Sequence, residues 1–475
     1  MSETDTVAGW ALPWGGADAA TTPEGLALTV AWCLEEPRRV GEVARPSGPS
    51  AIGRSEEPGV ELLRFCRERP SGDTSPEPIR DGRISRRQLV LEPVSADRLR
   101  VENVGKCPLL VNGVETTGGE VKPGDTLTLK NVAVFLVSRR ARVAPLRSFP
   151  ARLAMPFGHA DAHGLVGESA AIWRLRDELS HVAGGTSHVL VHGPSGSGKE
   201  LAARALHALS SRASRTMLTR NAATFPEGLI DAELFGNVKN YPNPGMPERR
   251  GLIGDADQST LFLDEIGELP HALQAHLLRV LDSGGEYQRL GDSRVCRSDV
   301  RVVAATNRPL EELKPDFVAR FTARIEVPGL AERREDIPLL IRHLLKQALA
   351  EQPEAGRFFD RPSSPDAEPR VDPSLIDGLV RHDYELELRE LTRLIELSMS
   401  GSPGSFVACT EAVRAELRPG GARPETPLEL DRGRIEEALA SARGSVTRAA
   451  RALGLKNRFA LYRLMKRYGI ESAED

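Results

Sequence analysis

The chain contains 475 residues, too many for one hydrophobic core, and at roughly 150 residues per domain about three domains are expected. Its hydrophobic fraction of 40% is enough to fill such cores. A charged fraction of 27% with a net charge of only -4 excludes a chain that binds membranes or nucleic acid over its whole surface, so any nucleic-acid site must be local.

The cysteines and the N-terminus indicate a protein of the reducing cytoplasm. The five cysteines are scattered without a Cys-x-x-Cys pair, which favours free thiols over zinc ligands or disulfides. No apolar run approaches the roughly 18 to 20 residues that span a bilayer. Glu3 and Asp5 stand where an export signal carries basic residues. We therefore expect a cytoplasmic protein with no membrane partner.

The N-terminal part is expected to be an arm followed by an all-β domain. Residues 1–25 are rich in Ala, Gly, Thr and Pro without periodicity, which is typical of disorder. From residue 26 to 140, short apolar runs alternate with turn signals such as Asn112-Gly113. This pattern predicts a β-sandwich, with strands near 26–33, 88–92, 98–101, 126–129 and 132–137.

The middle of the chain has the pattern of an α/β domain. Residues 141–164 mix basic residues and prolines and are interpreted as a linker. Between residues 165 and 335, helical periodicity alternates with short apolar runs. This order predicts a mostly parallel sheet, with strands at 189–191, 261–263 and 300–305 and a helix at 271–281.

The C-terminal part is predicted to be helical throughout. Residues 336–418 form an all-α lid with a proline-rich interruption near 352–373, and residues 419–427 form a second linker. In the last domain, residues 428–475, apolar positions recur at helical spacing with Gly444 and Gly454 at the breaks. This spacing predicts a three-helix helix-turn-helix domain.

The last domain also concentrates positive charge. Between Arg443 and Arg467 it carries basic residues and no acid, which suits contact with DNA phosphates. A solvated basic helix is the alternative. The candidate DNA-binding residues are Arg443, Arg448, Lys456, Asn457, Arg458, Tyr462, Arg463 and Lys466.

A phosphate-binding loop is predicted between a strand and a helix. Glycines let backbone N–H groups converge on phosphates, the helix N-terminus favours negative charge, and a lysine adds a positive one. A chance glycine-rich turn is the alternative, and this strand-to-helix context opposes it. Glu200 stands where many such loops place a Ser or Thr that holds magnesium. The loop residues are Gly193, Pro194, Ser195, Gly196, Ser197, Gly198 and Lys199.

Two carboxylates follow the apolar strand near 260–263. Asp264 can hold Mg²⁺ and Glu265 can orient the attacking water. An acid pair after a strand is common by itself, but downstream of a phosphate loop it indicates ATP hydrolysis.

These motifs resemble the AAA+ domain of bacterial enhancer-binding proteins, which activate sigma-54 RNA polymerase. In that family a glutamate follows the loop lysine, so Glu200 is expected among the nucleotide-binding residues. The resemblance implies ATP hydrolysis with Mg²⁺ and assembly into a ring, expected to be a hexamer. It extends over residues 165–169, 193–200, 233–236, 260–269, 300–308 and 332–338.

The resemblance also implies roles for single residues. Asn221 corresponds to a switch asparagine that restrains Glu265. Thr306 and Asn307 correspond to sensor I, and Arg389 corresponds to the sensor II arginine of the lid.

Two positions correspond to the arginine fingers that reach the γ-phosphate of a neighbouring subunit. Arg320 occupies one of them and Lys314 the other. Because lysine lacks the bidentate fork of a guanidinium, hydrolysis is expected to be slower or to depend mainly on Arg320.

The tip that contacts the sigma factor departs from the family. Its usual Gly-Ala-Phe-Thr-Gly-Ala sequence is replaced by residues 240–247, Asn-Tyr-Pro-Asn-Pro-Gly-Met-Pro. Prolines stiffen a loop that elsewhere must move. Two interpretations stay open: a variant tip in which Tyr241 replaces the aromatic contact, and a degenerate loop in an active ATPase.

Within the predicted sandwich, residues 52–54 and 84–88 resemble the two signatures of a forkhead-associated (FHA) domain, which binds phosphothreonine peptides. Arg54 and Arg86 would pair with phosphate oxygens, and the Ser85 hydroxyl would donate to them.

The FHA resemblance has departures. Gln88 stands where a histidine is usual, and Lys106-Cys107-Pro108 replaces the expected Asn-Gly. Phosphopeptide recognition and a degenerate protein-interaction sandwich are therefore the alternatives.

Since the C-terminal helices resemble the Fis-type domain of the same family, the whole chain is interpreted as a multidomain transcription regulator. A phosphothreonine protein or Ser/Thr kinase would act on the sandwich, the ATPase would remodel sigma-54 RNA polymerase, and the C-terminal helices would hold an upstream operator or enhancer in DNA. One alternative is a repressor, or another regulator that acts without sigma-54. The other is a phosphopeptide-binding scaffold with a vestigial ATPase.

Overall fold

A computed structural model of the protein describes residues 24–56, 61–146, 148–149, 155–225, 228–282, 284–364, 366–418, 435, 438 and 439. The chain divides into two compact units, with the boundary after Pro419. The first unit contains the β-rich region, the α/β region and the lid. The predicted arm at residues 1–25 lies outside the described residues, apart from its last two positions.

The β-rich region consists of two antiparallel sheets that face each other. One sheet has the order β10-β9-β12-β13-β1-β2, the other has the order β11-β8-β7-β3-β4 with one parallel pair, and β5 pairs with β6. The strands are β1 (Gly25–Cys33), β2 (Val43–Ala44), β3 (Ser50–Ile52), β4 (Glu61–Leu62), β5 (Arg64–Phe65), β6 (Glu77–Pro78), β7 (Leu89–Ser95), β8 (Arg98–Asn103), β9 (Leu109–Val111), β10 (Val114–Thr116), β11 (Gly118–Val121), β12 (Thr126–Leu129) and β13 (Ala133–Arg140).

Alternating apolar residues hold the two sheets together. Leu28 and Phe135 from one sheet share a buried cluster with Leu91 and Val101 from the other. Each of these residues alternates with neighbours that point to the opposite face of its sheet, as the period of two requires. The five strands predicted from this alternation are confirmed as β1, β7, β8, β12 and β13.

The α/β region is built on a parallel sheet. Its five strands have the order β15-β16-β19-β14-β20, and every neighbouring pair is parallel. Its elements are α1 (Ala170–Ala183), β14 (Val189–His192), α2 (Lys199–Leu209), β15 (Leu218–Asn221), α3 (Ile230–Phe235), α4 (Gly251–Asp255), β16 (Thr260–Asp264), α5 (His271–Leu281), β17 (Glu286–Gln288), β18 (Val295–Arg297), β19 (Arg301–Thr306), α6 (Pro315–Arg320) and β20 (Ala323–Glu326).

Both faces of this sheet are covered by helices. Leu263 faces a cluster that includes Leu277 of α5, while Phe262 faces a cluster that includes Ile172 of α1 and Leu206 of α2. Strands buried on both faces carry continuous apolar runs, which is why β16 has the sequence Thr-Leu-Phe-Leu-Asp. The helix predicted at residues 271–281 is α5.

The lid contains four α-helices and a 3-10 turn, at Pro353–Phe358, within the part of the chain that the structure describes. The helices are α7 (Ile337–Glu351), α8 (Pro373–Arg381), α9 (Glu387–Gly401) and α10 (Glu411–Glu416). They share one apolar cluster with residues of the β-rich region. Among the described residues, no helix is long and apolar enough to cross a membrane.

The second compact unit, Gly420–Asp475, contains the predicted helix-turn-helix domain. In it, Ile435 and Leu439 are helical, and Ile435 is fully buried. Every candidate DNA-binding residue from Arg443 to Lys466 lies outside the described residues.

Candidate functional site

Polar side chains converge at the carboxyl edge of the parallel sheet. Asn221 ends β15 and lies beside Asp264, which ends β16. Thr306 ends β19 and pairs with His192, the last residue of β14. The carboxyl ends of parallel strands meet at one edge of a sheet, where α/β proteins place their ligand sites. The phosphate loop begins at this edge, directly after His192.

The loop turns through conformations that suit glycine. Gly193, Gly196 and Gly198 have φ angles of 155°, 84° and 105°. A Cβ atom on Gly193 would lie 2.5 Å from the carbonyl oxygen of Val327, and one on Gly196 would lie 2.4 Å from that of Leu386. Glycine is therefore required here both by conformation and by the close approach of two other segments.

Lys199 is the buried cation of the loop. It is 9% exposed, and its ammonium donates to the carbonyl oxygens of Gly193 at 3.0 Å and Pro194 at 2.8 Å. Burial lowers the pKa of Lys199, while the neighbouring Asp264 carboxylate acts in the opposite direction. The loop therefore keeps its positive charge over its own backbone carbonyls.

The acid pair lies where β16 ends. Asp264 Oδ1 accepts a hydrogen bond from the Glu265 backbone N–H at 2.9 Å. Burial raises the pKa of Asp264, and this backbone donor and Lys199 oppose the rise. Among the described residues, Asp264 Oδ2 has no hydrogen-bond partner, so one carboxylate oxygen remains for a cation.

Glu265 has a strained backbone. Its φ and ψ angles are 51° and 43°, in the left-handed region that costs a non-glycine residue about 1–2 kcal/mol. Such strain is typical of functional positions, where the surrounding structure holds the residue in place. Here the bond from the Glu265 N–H to Asp264 stabilises the turn that carries the second carboxylate.

The predicted switch and sensor residues differ in their surroundings. Asn221 Oδ1 accepts from Ala223 N–H at 2.8 Å and so caps its own turn; between these described residues it makes no bond to Glu265. Thr306 is fully buried, and its hydroxyl accepts from the backbone of Arg308 at 3.0 Å. Asn307 is exposed beside it.

The lid reaches the phosphate loop through the start of α9. The Leu388 N–H donates to the Gly196 carbonyl at 3.3 Å. A Cβ on Gly196 would lie 3.4 Å from Arg389 Cγ, so the predicted sensor II arginine lies over the loop and is exposed. Glu200 instead faces solvent on α2 and forms an ion pair with Arg204 at 2.6 Å.

The two predicted finger positions flank helix α6. Lys314 directly precedes its first residue and is half-buried, and Arg320 is its last residue. The Arg320 guanidinium is paired with Asp282 of the same chain at 2.7 Å, with about half of each side chain exposed. Asp282 was not predicted from the sequence, because a single acid after α5 carries no local signal.

The loop that replaces the family's tip is closed on itself. Asn237, 1% exposed, donates through Nδ2 to the carbonyls of Val238 at 3.0 Å, Tyr241 at 3.3 Å and Pro247 at 2.9 Å. Tyr241 is 40% exposed. Its ring covers Gly291 in the turn of the β17–β18 hairpin, where a Cβ would lie 2.5 Å from the ring. Loop and hairpin thus form one surface.

The predicted phosphopeptide residues meet at one end of the β-rich region. The Arg54 N–H donates to the Ser85 carbonyl at 3.2 Å, and the Lys106 N–H donates to the Ser85 hydroxyl at 3.1 Å. The side chains of Arg54, Arg86 and Lys106 are exposed and make no ion pair with a described residue. Unpaired cations around a half-buried hydroxyl favour an anionic ligand.

Gln88 connects the two loops that carry these residues. Its amide donates to Asn103 Oδ1 at 2.6 Å and the Cys107 carbonyl at 2.8 Å. Its oxygen accepts from the Ser85 N–H at 3.0 Å and the Cys107 N–H at 3.2 Å. Fully buried, this side chain uses its full set of donors, and it fixes Ser85 against the loop at Lys106.

Known protein families match parts of both compact units. The family described as the sigma-54 interaction domain matches residues 165–328. The family described as the bacterial regulatory protein, Fis family, matches residues 427–468. The first match contains the loop, the acid pair and the predicted finger positions.

Individual proteins are similar over most of the chain. The transcriptional regulatory protein ZraR of Escherichia coli (strain K12) is 35% identical over 319 residues, which are 65% of this chain and 69% of ZraR. A Nif-specific regulatory protein of Bradyrhizobium diazoefficiens is 40% identical over 253 residues, 52% of this chain and 41% of that protein.

Among solved structures, that of NtrX from Brucella abortus in complex with ADP is 30% identical, with a TM-score of 0.46, and the match covers 64% of this chain and 70% of that chain. Because ZraR is matched over more than two thirds of its length, and both domain families match, the chain belongs to the sigma-54-dependent transcriptional regulators with a Fis-type DNA-binding domain.

Proposed function

We propose that this protein is a cytoplasmic ATPase that couples ATP hydrolysis to transcription at a DNA site. The observation that carries the proposal is the convergence of Lys199, Asp264 and Glu265 at the carboxyl edge of the parallel sheet. A buried cation, a carboxylate with one unbonded oxygen and a second carboxylate on a strained turn are the parts that phosphoryl transfer to water requires.

The residues present fit ATP and magnesium. The loop leaves no room for a side chain at Gly193 or Gly196, and Lys199 and Arg389 both lie against it. Asp264 would hold the magnesium ion through its unbonded oxygen. When bound, ATP supplies the phosphoryl group and magnesium neutralises part of its charge. Glu265 then accepts a proton from water, and Lys199 stabilises negative charge.

The test of the ATPase is Glu265→Gln in the full-length protein. We expect hydrolysis to fall by at least about 100-fold, since the amide no longer accepts the proton, while ATP binding persists. Phosphate release measured against the wild type at equal nucleotide occupancy decides the question. Equal turnover of the two proteins would remove the motor and favour a scaffold with a vestigial ATPase.

We propose that the protein assembles into a ring, which the family resemblance leads us to expect as a hexamer, and the finger positions support this. An arginine can stabilise a neighbour's γ-phosphate only across a subunit interface. Arg320 is half exposed at the end of α6 and its ion pair with Asp282 is a surface pair, which is weak enough to be exchanged for a phosphate. Lys314 at the other position adds only a point charge.

We propose that the output is remodelling of sigma-54 RNA polymerase, with Tyr241 on the tip surface as the contact. The partly exposed Tyr241 ring lies against the hairpin at Gly291, and Asn237 donates to the Tyr241 backbone carbonyl, which supports a variant tip. The second candidate is an ATP-binding repressor, and the closed, proline-containing loop favours it over a mobile tip.

Trapping the protein with ADP and aluminium fluoride, then testing co-migration with purified sigma-54, separates these two outputs. A complex that Tyr241→Ala abolishes, with ATPase intact, supports the polymerase activator. Absence of any complex, with ATPase intact, supports the repressor.

The proposed input is a phosphothreonine peptide, from a kinase or its substrate, bound at the Ser85 end of the β-rich region. The guanidiniums of Arg54 and Arg86, which pair with no carboxylate among the described residues, and the hydrogen bonds that Gln88 and Lys106 make to Ser85 support this FHA-like role. The proposed DNA contacts are the basic residues of the C-terminal domain, which lie outside the described residues.

A further inference from the structure

The proposed nucleotide cleft lies between two walls, and the β-rich region is bonded to both. One wall is the α/β region with the phosphate loop, and the other is the lid, whose Leu388 N–H reaches the Gly196 carbonyl. A body attached to both walls restricts the motion of one relative to the other.

The attachment to the α/β wall is made by two arginines of the β-rich region. The Arg69 guanidinium forks onto the Glu168 carboxylate, with Nε at 3.1 Å from Oε2, and Arg140 donates to the Glu168 carbonyl at 2.9 Å. Glu168 is 2% exposed. A charged pair buried to this degree is strongly held, because separating it would leave a charge without a partner.

The attachment to the lid begins at Glu335 and Asp336, directly before α7, where the α/β region meets the lid. Arg140, 3% exposed, also pairs with Glu335 at 2.5 Å and with Glu68 of its own region at 3.1 Å. The next residue, Asp336, accepts from the backbone of Glu168 at 2.7 Å. One arginine thus joins the β-rich region, the start of the α/β region and the segment directly before α7.

A second contact with the lid lies on α8. The Thr126 hydroxyl donates to Asp377, a buried carboxylate that is also paired with Arg381. A Cβ on Gly113, in the turn between β9 and β10, would lie 3.3 Å from Asp377 Oδ2. The sheet edge therefore rests directly on this helix.

Between these polar contacts, the outer face of the six-stranded sheet packs on the lid. Val134 and Leu136 of β13 lie in the same buried cluster as residues of α7 and α8. The cluster members from the two helices are Ile337, Leu339, Leu340, Ile341, Leu345, Leu375, Ile376, Leu379 and Val380.

The sheet face that meets the lid also carries polar side chains, which are costly to bury. Thr29 lies opposite Leu136, and Thr128 lies opposite Val134, so their side chains share the face that meets the lid. Their hydroxyls, with that of Ser138, are buried and have no hydrogen-bond partner among the described residues. Each such hydroxyl disfavours the docked state, since water would satisfy it on separation. The apolar packing therefore favours the docked state, while the buried hydroxyls disfavour it. This balance is expected of a contact that can separate.

We propose that the β-rich region is a strap that holds the nucleotide cleft closed, and that nucleotide leaves when the sheet face separates from α8. The inference rests on the proposed function only in that this cleft binds nucleotide. If exchange occurs from the separated state, the dissociation rate follows the population of that state.

Two threonines on β12 provide a matched test in the full-length protein. Thr126→Val removes a donor from the buried Asp377 carboxylate and should favour separation. Thr128→Val replaces an unpartnered hydroxyl with a methyl group and should favour docking. The substitution is the same, the residues lie two positions apart, and the expected signs are opposite. Neither residue belongs to the proposed nucleotide machinery.

The measurement is the dissociation rate of N-methylanthraniloyl-ADP after an ATP chase. We expect release from Thr126→Val to be about tenfold faster than from the wild type, and release from Thr128→Val to be about threefold slower. Wild-type rates in both variants, or shifts in the same direction, overturn the strap. A wild-type protein that does not bind the nucleotide overturns the proposed ATPase, and the strap with it.

Discussion

Two regions of this protein are proposed to bind phosphate, and they differ in how their cations are held. The loop at residues 193–199 turns at glycines with positive φ angles and holds its lysine, 9% exposed, over its own carbonyls. The end of the β-rich region presents Arg54 and Arg86 to solvent, and neither forms an ion pair with a described residue. We call the loop the closed site, because its buried lysine already donates to protein carbonyls. We call the end of the β-rich region the open site, because its arginines face solvent without an ion-pair partner among the described residues.

This difference indicates which features would decide the ligands that each site accepts. In the loop, glycine geometry and the lid contact at Gly196 restrict what fits, so shape matters as much as charge. In the open site, exposed guanidiniums attract anions in general, and the buried Gln88 amide supplies the order by fixing Ser85. Selectivity there has to come from the hydroxyl and from the peptide on either side of the phosphate.

Lys199→Met tests the closed site and has the largest expected effect. Removing the ammonium leaves the backbone donors but deletes the buried positive charge of the loop, and charge-assisted bonds contribute about 1.5–3 kcal/mol each. We expect ATP affinity to fall about 100-fold, measured by titration calorimetry, with phosphothreonine-peptide affinity unchanged.

Lys122→Met is the matched control for this loss. Lys122 is exposed at the end of the β-rich region's β11 strand, so the same substitution there should leave ATP affinity at the wild-type value. If Lys199→Met binds ATP as tightly as Lys122→Met does, the loop is not the phosphate site.

Local features of both regions could be predicted from the sequence. The loop and the acid pair are contiguous motifs, each placed by a single strand that ends beside it. The strands of the β-rich region follow from alternation over a few residues. Such signals lie within one element, where periodicity and turn chemistry act.

Contacts between distant segments could not be predicted in this way. Thr126 and Asp377 are 251 positions apart, and neither residue type indicates the other. The sequence suggested separate domains joined by a linker, whereas the structure places sheet and lid residues in one apolar cluster. The pairing of Arg320 with Asp282 was missed for the same reason.

Gln88 shows how a departure from a family pattern can mislead. Against the usual histidine, the glutamine counted as a weakness of the FHA resemblance. In the structure its amide makes four hydrogen bonds that join the loops at Ser85 and Cys107. The substitution therefore retains an ordered site, although binding of phosphothreonine is still a proposal.

Arg54→Ala tests the open site and should have a smaller effect than loss of Lys199. Its guanidinium is exposed, so water and salt already weaken its attraction for a phosphate. We expect phosphothreonine-peptide affinity to fall about tenfold, measured by fluorescence anisotropy, with ATP affinity unchanged.

Arg98→Ala is the control. Arg98 is also exposed, but it lies at the start of β8, whereas Asn103 at the other end of that strand bonds to Gln88.

The salt dependence of peptide binding provides a second test of Arg54. If the open site binds through exposed charge, raising the salt concentration should weaken peptide binding to the wild type more than to Arg54→Ala, because the variant has one charge fewer to screen. Equal salt dependence in the two proteins, or equal losses in Arg54→Ala and Arg98→Ala, would show that Arg54 does not contact the phosphate.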